Sequence, residues 1–290
     1  MLANLCLCAL GIRALAYAPT QQLALAVAYD GAPFRGWTDL RDTALRPTLS
    51  RLLGLSEDEV VLTAASRTDA GVHADAQICT LPLRRPVADV GQLAYSLNQL
   101  LPESVSVRRA GLVSPSFDVR SNLHKEYRYR LSLCAVRDPL TRGHRWHVPP
   151  RRGRPAWDAE AATAAAQLLL GEHSFKAYGN RPKGREREVE VDPVCELREL
   201  RLCGELTDGE GEIELRIQAD RFLYKMARNL VGAVVRVGEG RLTLGELEHA
   251  VAHGAFPQNC SPPLTAPAHG LILHRVNYEK GRGPFDWVED

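Results

Sequence analysis

The sequence has 290 residues, of which 45% are apolar and 24% charged, and its formal net charge is +1. That length supports one large domain or two halves with a real core, and the composition is typical of a soluble globular enzyme. A net charge so close to zero excludes a general basic field for nucleic acid, so any such binding must come from local clusters.

The seven cysteines are odd in number and form no Cys-x-x-Cys pair. This pattern argues against a disulfide framework and against a structural zinc site. A reducing compartment is the simplest interpretation.

The first twenty residues differ from the rest. From Met1 to Ala18 the sequence is apolar, with one basic residue, Arg13, and no acidic residue. It is too short and too interrupted to span a membrane, so we expect no membrane segment. Its end, with Ala16 and Ala18, is similar to a cleavage site and indicates a leader for a plastid or mitochondrion. A disordered extension of a cytoplasmic protein explains the same pattern, and both interpretations stay open.

The following segment predicts a buried strand from Gln22 to Tyr29, closed by a turn at Asp30-Gly31. A short helix is expected from Pro47 to Leu53. A tight connection then runs from Arg67 to Gly71, between strand candidates at 60–63 and 77–81.

Two interpretations fit this connection, in which Gly71 permits backbone angles that its neighbours resist. In the first, Asp69 caps the turn and Arg67 pairs with it on the surface. In the second, the loop presents both charges to a ligand.

An amphipathic helix is predicted from Asp89 to Leu101, and a strand at 105–108 follows it. The sequence 125–133 alternates, so Tyr127 and Tyr129 share one face while Arg128 takes the other. From the pattern alone, the tyrosines fit a protein core as well as they fit a binding site.

A segment rich in Pro, Gly and Arg, 137–154, predicts a linker between halves at 21–145 and 155–290. Beyond it we expect an Ala-rich helix over 157–170, capped at its end by Gly171. The basic segment 175–190 predicts a solvated loop, with an RNA-facing loop as the alternative.

A hairpin of strands 196–202 and 212–219 precedes two further helices. The first helix has an apolar stripe of Phe222, Met226, Leu230 and Val234, and a basic stripe of Arg221, Lys225 and Arg228. Thr243 caps the second, 244–253, whose two histidines have no third metal ligand nearby in sequence.

Several of these segments resemble the signatures of the TruA-type tRNA pseudouridine synthases, in the family's order. The longest is 67–74, Arg-Thr-Asp-Ala-Gly-Val-His-Ala. The others are 28–37, Phe117-x-x-Arg120, Tyr127-x-Tyr129, 222–232 and 266–273, and together the matched segments span residues 23 to 278. The sequence departs from the family after Trp37, where Thr38-Asp39 stand in place of the usual Gln.

The resemblance implies an α+β fold of two halves that share a central antiparallel sheet, with helices on the outer faces and the active cleft between the halves. It implies isomerisation of uridine to pseudouridine in tRNA, in the anticodon stem-loop at tRNA positions 38 to 40, commonly by a homodimer. No cofactor and no metal are expected. The sequence likewise contains no dinucleotide glycine pattern and no phosphate loop.

The resemblance also implies roles for single residues. Asp69 is expected to act as nucleophile or base, with Arg228 facing it. Arg67 is expected to help swing the uridine out of its stack, Tyr127 to stack on the uracil, and Leu271 to close the apolar side. Four further cations are placed near the RNA by position alone: Arg120, Lys125, Arg128 and Lys225.

Two rival classes of function are considered. One is a non-catalytic RNA-binding protein of the same fold, or a synthase that acts on another RNA. The other is a metal-dependent hydrolase using Asp69, His73 and Asp75, which have equal parity along an extended segment. In the family string, the histidine is structural.

Overall fold

The computed structural model describes residues 20–150, 153, 156–180, 191–260 and 263–285. The expected leader up to residue 19 and the basic stretch 181–190 lie outside the described residues. Across the described ranges, no helix combines the length and apolarity that a bilayer crossing needs. The five cysteines within those ranges are all free thiols.

The described residues form one sheet of eleven strands. In chain order they are β1 Gln21–Tyr29, β2 Thr63–Ala64, β3 His73–Leu83, β4 Val105–Val113, β5 His124–Ser132, β6 Trp146–His147, β7 Gly171–Ser174, β8 Val194–Cys203, β9 Leu206–Thr207, β10 Glu210–Ala219 and β11 Leu271–Asn277. Their spatial order is β4-β1-β3-β11-β5-β10-β8-β7, and the short strands β2, β6 and β9 pair with β3, β5 and β10.

The α-helices of the described ranges are α1 Trp37–Leu40, α2 Arg46–Leu53, α3 Val90–Leu100, α4 Ala159–Leu168, α5 Met226–Gly238 and α6 Leu244–His253. Toward the β4 end of the sheet, α2 packs against α3, which also contacts β4. Toward the β7 end, α4 packs against α5, α6 and β8. Helices and a largely antiparallel sheet together confirm the predicted α+β class.

Along the eight strands of that spatial order, the sheet is antiparallel within two groups and parallel at the junction between them. β4, β1 and β3 form the first group, and β11, β5, β10, β8 and β7 form the second. At the junction β11 runs parallel to β3, with Ile272 beside His73 and Leu273 beside Ala74. The predicted antiparallel sheet therefore contains a parallel seam, through which β11 joins the two groups, and the two-residue strand β6 also pairs parallel with β5.

The helix expected to begin at Pro47 begins ten residues earlier. A π-helical turn, Arg41–Leu45, connects α1 to α2, so helical backbone runs from Trp37 to Leu53. A proline ring inside a regular α-helix clashes with the preceding turn, and it also resembles a helix start in sequence. The wider turn before Pro47 accommodates the ring.

Two other boundaries differ from the sequence prediction. The strand expected at 60–63 is reduced to β2, because Glu57–Glu59 forms a 3-10 turn after which Val60 enters the core. The helix expected over 157–170 is α4, which Asp158 caps at its start and which ends at Leu168. Gly171 begins β7 with a φ of 103° and does not cap the helix.

Candidate active site

A cleft of about 750 Å³ opens where β3, β11 and β5 adjoin. Its walls come from the loop before β3, the first half of β5, the segment leading into α5, and the first residue of β11. The lining residues are Arg35, Trp37, Thr38, Ala65, Ser66, Arg67, Thr68, Asp69, Ala70, Val72, Lys125, Tyr127, Val191, Phe222, Leu223, Tyr224, Lys225, Met226, Ala227, Arg228 and Leu271.

The loop before β3 lines the cleft along its length, and two of its residues are also tied to the protein beneath it. Ser66 and Thr68 are bonded to groups beneath the loop, whereas Arg67 is exposed and Asp69 half-buried. The Gly71 φ of 75° confirms the left-handed geometry that the sequence suggested for this turn.

Gly36 allows the first signature segment to approach this loop. The amide of Trp37 donates to the carbonyl of Thr68 at 3.1 Å. Gly36 has a φ of 100°, and a Cβ there would lie 2.7 Å from the same carbonyl oxygen. The loop is therefore held against the start of α1 by backbone contact that a larger residue at this position would prevent.

Asp69 and Arg228 meet in the cleft although 159 positions separate them in sequence. Arg228 Nη1 donates to Asp69 Oδ2 at 3.0 Å, and the two side chains are 13% and 19% exposed. Arg228 Nε donates to the carbonyl of Ala266 at 2.7 Å, which fixes the plane of the guanidinium. The contact expected from the two sequence signatures is thus present.

The helix that presents Arg228 starts later than its apolar stripe predicts. Lys225 has a φ of 62°, and α5 begins at Met226, so Phe222 lies outside the helix. Phe222 packs edge-on against Tyr127, with ring centroids 4.9 Å apart. Tertiary contacts of this segment, including the bond from the amide of Asn180 to the carbonyl of Tyr224, outweigh the helical periodicity.

Tyr127 and Leu271 line the cleft near Asp69. The Tyr127 hydroxyl lies 2.9 Å from Ser66 Oγ, and its ring is 6% exposed. Burial raises the pKa of Tyr127 to about 12, although the bond to Ser66 opposes the rise. The phenol is therefore neutral throughout the physiological range and keeps its O–H as a hydrogen-bond donor.

The cations predicted around the site divide into two groups. Arg67, Lys125 and Lys225 line the cleft, and burial lowers the pKa of Lys125. Arg128 does not line the cleft, because strand alternation puts it opposite Tyr127, where Nε lies 3.7 Å from Glu214.

Arg120 is also outside the cleft, on an exposed loop where its amide donates to Asp118. Arg120 and Arg128 therefore do not line the cleft, and their contact with RNA stays a prediction. Arg35, which the sequence analysis did not assign to the site, lines the cleft.

The three residues of the metal-hydrolase hypothesis have separate partners. Asp69 bonds to Arg228, and Asp75 Oδ2 lies 2.9 Å from Nδ1 of His274. His73 is buried: its Nδ1 accepts from the amide of Gly31 at 3.1 Å, and its Nε2 faces two backbone carbonyls. Both ring nitrogens of His73 therefore face backbone groups, which is the arrangement of a structural histidine.

A second group of possible ligands includes Asp30, His73 and His144, whose nearest donor atoms lie within 4.8 Å of one another. The rings of His73 and His144 stack with centroids 4.6 Å apart. Because the amide of Gly31 already uses the in-plane lone pair of His73 Nδ1, the arrangement does not present three ligands to one point.

The sequence analysis missed two polar residues beneath the loop, Gln77 and Tyr29, and the loop residue Thr68 that bonds one of them. Gln77 is fully buried and bonds twice to the backbone of Ser66, and Tyr29 bonds to Thr68. The available signal was a lone amide side chain in an otherwise apolar run, Gln77-Ile78-Cys79, since buried polar groups are normally hydrogen-bonded.

Comparison with known proteins gives consistent matches. The sequence model of a family described as tRNA pseudouridine synthase matches residues 165–279. The protein named tRNA pseudouridine synthase A 1 from Protochlamydia amoebophila is 32% identical over 266 residues, covering 90% of this chain and 98% of that protein.

Two proteins named tRNA pseudouridine synthase A are similar at comparable levels. The one from Methylacidiphilum infernorum is 35% identical over 260 residues, and the one from Methylobacterium nodulans 36% over 257; each match covers 88% of this chain and 94% of that protein. A chain from the crystal structure of a Cbf5-Nop10-Gar1 complex superposes with a TM-score of 0.38 at 9% identity, over 90% of this chain and 50% of that chain.

Proposed function

The chain belongs to the tRNA pseudouridine synthase A family, and we propose that it converts uridine to pseudouridine in the anticodon stem-loop of tRNA, with Asp69 as the catalytic carboxylate. The reaction breaks the bond from uracil N1 to the ribose C1′ and joins C5 to C1′. It transfers no electrons to or from an external acceptor and needs no group donor. We therefore propose that it requires neither a cofactor nor a metal.

The observation that carries this assignment is the Asp69–Arg228 pair inside the cleft. Each residue comes from a different signature segment, and the fold brings the two side chains to 3.0 Å. A buried pair of this kind costs desolvation that a core of apolar residues avoids. Its position in an open cleft, beside Tyr127 and Leu271, supports a chemical purpose.

The roles follow from what each group can donate or accept. Arg228 bonds Oδ2 of Asp69, and we assign Oδ1 to the reacting nucleoside, where Asp69 acts as nucleophile or base. Tyr127 is neutral and lines the cleft together with the apolar Leu271. We assign it to stacking on the uracil and to proton donation.

The RNA must release its target nucleotide, because a uridine within a stem-loop is stacked on its neighbours. Extrusion costs a few kcal/mol. Arg67 is exposed at the loop tip beside Asp69. We assign it to filling the space that the extruded nucleotide leaves, or to holding the backbone of that nucleotide. Lys125 and Lys225 at the cleft wall are assigned to phosphate contacts. A homodimer is the assembly that the family resemblance supports.

The proposal is tested with tRNA transcripts that carry tritium at uridine C5, because forming the C5–C1′ bond expels that tritium. The full chain is assayed in chelator, beside Asp69→Asn and Asp75→Asn. We expect release by the wild type, none by Asp69→Asn, and near wild-type release by Asp75→Asn, whose carboxylate bonds His274 outside the cleft.

Two results would contradict the proposal. A wild-type protein that binds tRNA but releases no tritium from any transcript would be a non-catalytic RNA-binding protein. Release by Asp69→Asn at the wild-type rate would remove Asp69 from the chemistry. Mapping the pseudouridines in the product then tests the anticodon stem-loop.

A further inference from the structure

Gln77 of β3 is fully buried beneath the loop that carries Asp69. Its Oε1 accepts from the amide of Ser66 at 3.2 Å, and its Nε2 donates to the carbonyl of the same residue at 2.7 Å. One side-chain amide thus satisfies both backbone groups of one loop residue. A side-chain amide offers one donor and one acceptor in this arrangement at every pH, which an ionised carboxylate of the same shape does not.

We call the two bonds between Gln77 and the backbone of Ser66 the clamp. The clamp begins where the regular pairing of β2 with β3 ends. Thr63 and Ala64 pair with β3 across from Thr80 and Cys79, and the amide of Ala65 bonds the carbonyl of Ile78 at 2.8 Å. At Ser66 the Gln77 side chain provides the next two bonds. The loop is therefore fixed to β3 for two residues beyond β2, Ala65 and Ser66.

Tyr29 provides a second tie two residues further along the loop. Its hydroxyl lies 2.7 Å from Thr68 Oγ1, and both side chains are buried. The Gln77 side chain also acts on that hydroxyl, since it lowers the pKa of Tyr29 against the effect of burial, so the two ties adjoin. With Ser66 and Thr68 held from below, Arg67 and Asp69 are directed into the cleft.

We propose that Gln77 is a positioning residue, which acts through Ser66 and Thr68 to hold the Asp69 carboxylate in its reactive place. The proposal rests on the proposed function of Asp69. Gln77 touches no substrate; its effect is on the orientation of the loop. An error of about 1 Å in a reacting group costs on the order of a hundredfold in rate, so loss of the clamp lowers kcat and leaves the KM for tRNA nearly unchanged.

The test uses the variant Gln77→Glu, which replaces the amide by a group of the same shape. A neutral carboxyl donates through its O–H and accepts through its C=O, so it reproduces both bonds to Ser66. A carboxylate has no donor and repels the Ser66 carbonyl oxygen. Burial raises the pKa of the introduced carboxyl, so the clamp is present at low pH and is lost as pH rises through that pKa.

We expect the kcat of Gln77→Glu, divided by that of the wild type at each pH, to fall about tenfold to a hundredfold between about pH 6 and about pH 9. Gln77→Met lacks the clamp at every pH, and its ratio is low and flat. Gln22→Glu is the matched control. Gln22 is also a buried amide in the sheet, but it donates to the carbonyls of Ser114, Pro115 and Phe117, away from the cleft.

A second measurement does not depend on activity. Hydrogen exchange of the peptide 64–70 is expected to accelerate in Gln77→Met, because the Ser66 amide loses its acceptor, while the peptides of β10 keep their wild-type rates. If the Gln77 variants do not fold, Tyr29→Phe removes only the hydroxyl tie to Thr68 and is expected to lower kcat several-fold.

The outcomes separate this inference from the proposed function. If the wild type releases no tritium, the proposed function is wrong. Hydrogen exchange then still tests whether Gln77 holds the loop. An active wild type with a flat ratio near one for Gln77→Glu and Gln77→Met overturns the positioning role. An equal pH-dependent loss in Gln22→Glu also overturns it, because the effect would then be one of general stability.

Discussion

Arg228 uses two nitrogens of its guanidinium for two different partners. Nε bonds the backbone at Ala266, and Nη1 bonds the carboxylate of Asp69. A lysine has the same charge, but its single ammonium nitrogen cannot reproduce this planar fork. The geometry of the pair, more than the charge itself, therefore depends on arginine.

We accordingly expect Arg228→Lys to lower kcat by about tenfold to a hundredfold, with little change in tRNA affinity. Tritium release gives the rate, and filter binding gives the affinity. Arg236→Lys is the matched control, since Arg236 lies on the same helix and bonds Glu239 instead. Wild-type kcat in Arg228→Lys would contradict the importance of the fork.

The sequence predicts the residues of the cleft better than it predicts those beneath it. Asp69, Arg228 and Tyr127 stand in recognisable strings, so each could be named before the fold was known. Gln77 and Tyr29 meet the loop only because β1 and β3 pair in one particular register, with Val27 opposite Gln77. That register is a property of the whole sheet and is not encoded near either residue.

At the scale of elements, α5 depends on a glycine. The chain at 264–266 crosses α5 so closely that a Cβ on Gly232 would lie 1.6 Å from the carbonyl oxygen of Leu264. That approach lets Ala266 and Arg228 exchange backbone and side-chain hydrogen bonds. The helix, the crossing segment and Arg228 are therefore one unit.

We expect Gly232→Ala to lower the free energy of unfolding by about 1–3 kcal/mol and also to reduce tritium release, because the displaced segment releases Arg228. Denaturant unfolding and the tritium assay measure the two effects. The control is Gly245→Ala in α6, where an added Cβ would meet open space. This change should raise the free energy of unfolding by about 0.5–1 kcal/mol. A stabilised Gly232→Ala would contradict the close crossing.

Element boundaries were predictable where local signals act alone. Thr243 caps α6 as predicted, in a capping box with Glu246, and α3 begins after Asp89, which caps it. The start of α5 was not predictable, because Phe222 continues the apolar stripe and yet packs on Tyr127. The unbroken helical run from Trp37 was missed because Pro47 imitates a start signal.

At the scale of the molecule, the described residues include four buried tyrosines, Tyr29, Tyr127, Tyr129 and Tyr178, and a half-buried one, Tyr278. Burial is the leading cause that raises the pKa of each hydroxyl above its ordinary value. An unfolded chain releases these protons near pH 10. Since the folded state holds them more tightly, the stability is complete below about pH 10 and is lost as pH rises further.

For Tyr127, with a folded pKa of about 12, the loss between pH 10 and pH 12 amounts to about 2–3 kcal/mol. We expect Tyr127→Phe to lose that much less free energy of unfolding over this range than the wild type does. Denaturant unfolding at a series of alkaline pH values measures it, with Tyr95→Phe as a control on an exposed ring. Identical pH slopes for Tyr127→Phe and the wild type would contradict the raised pKa.

The parallel seam at β11 also affects how the protein is made. β11 is translated after every other strand of the described sheet, yet it lies between β3 and β5. Until residues 271–277 leave the ribosome, both neighbours present unpaired strand edges, which favour pairing with other chains. A nascent chain released before this point has two open sheets and an unfinished cleft, so premature termination yields an aggregation-prone fragment and not a weaker enzyme.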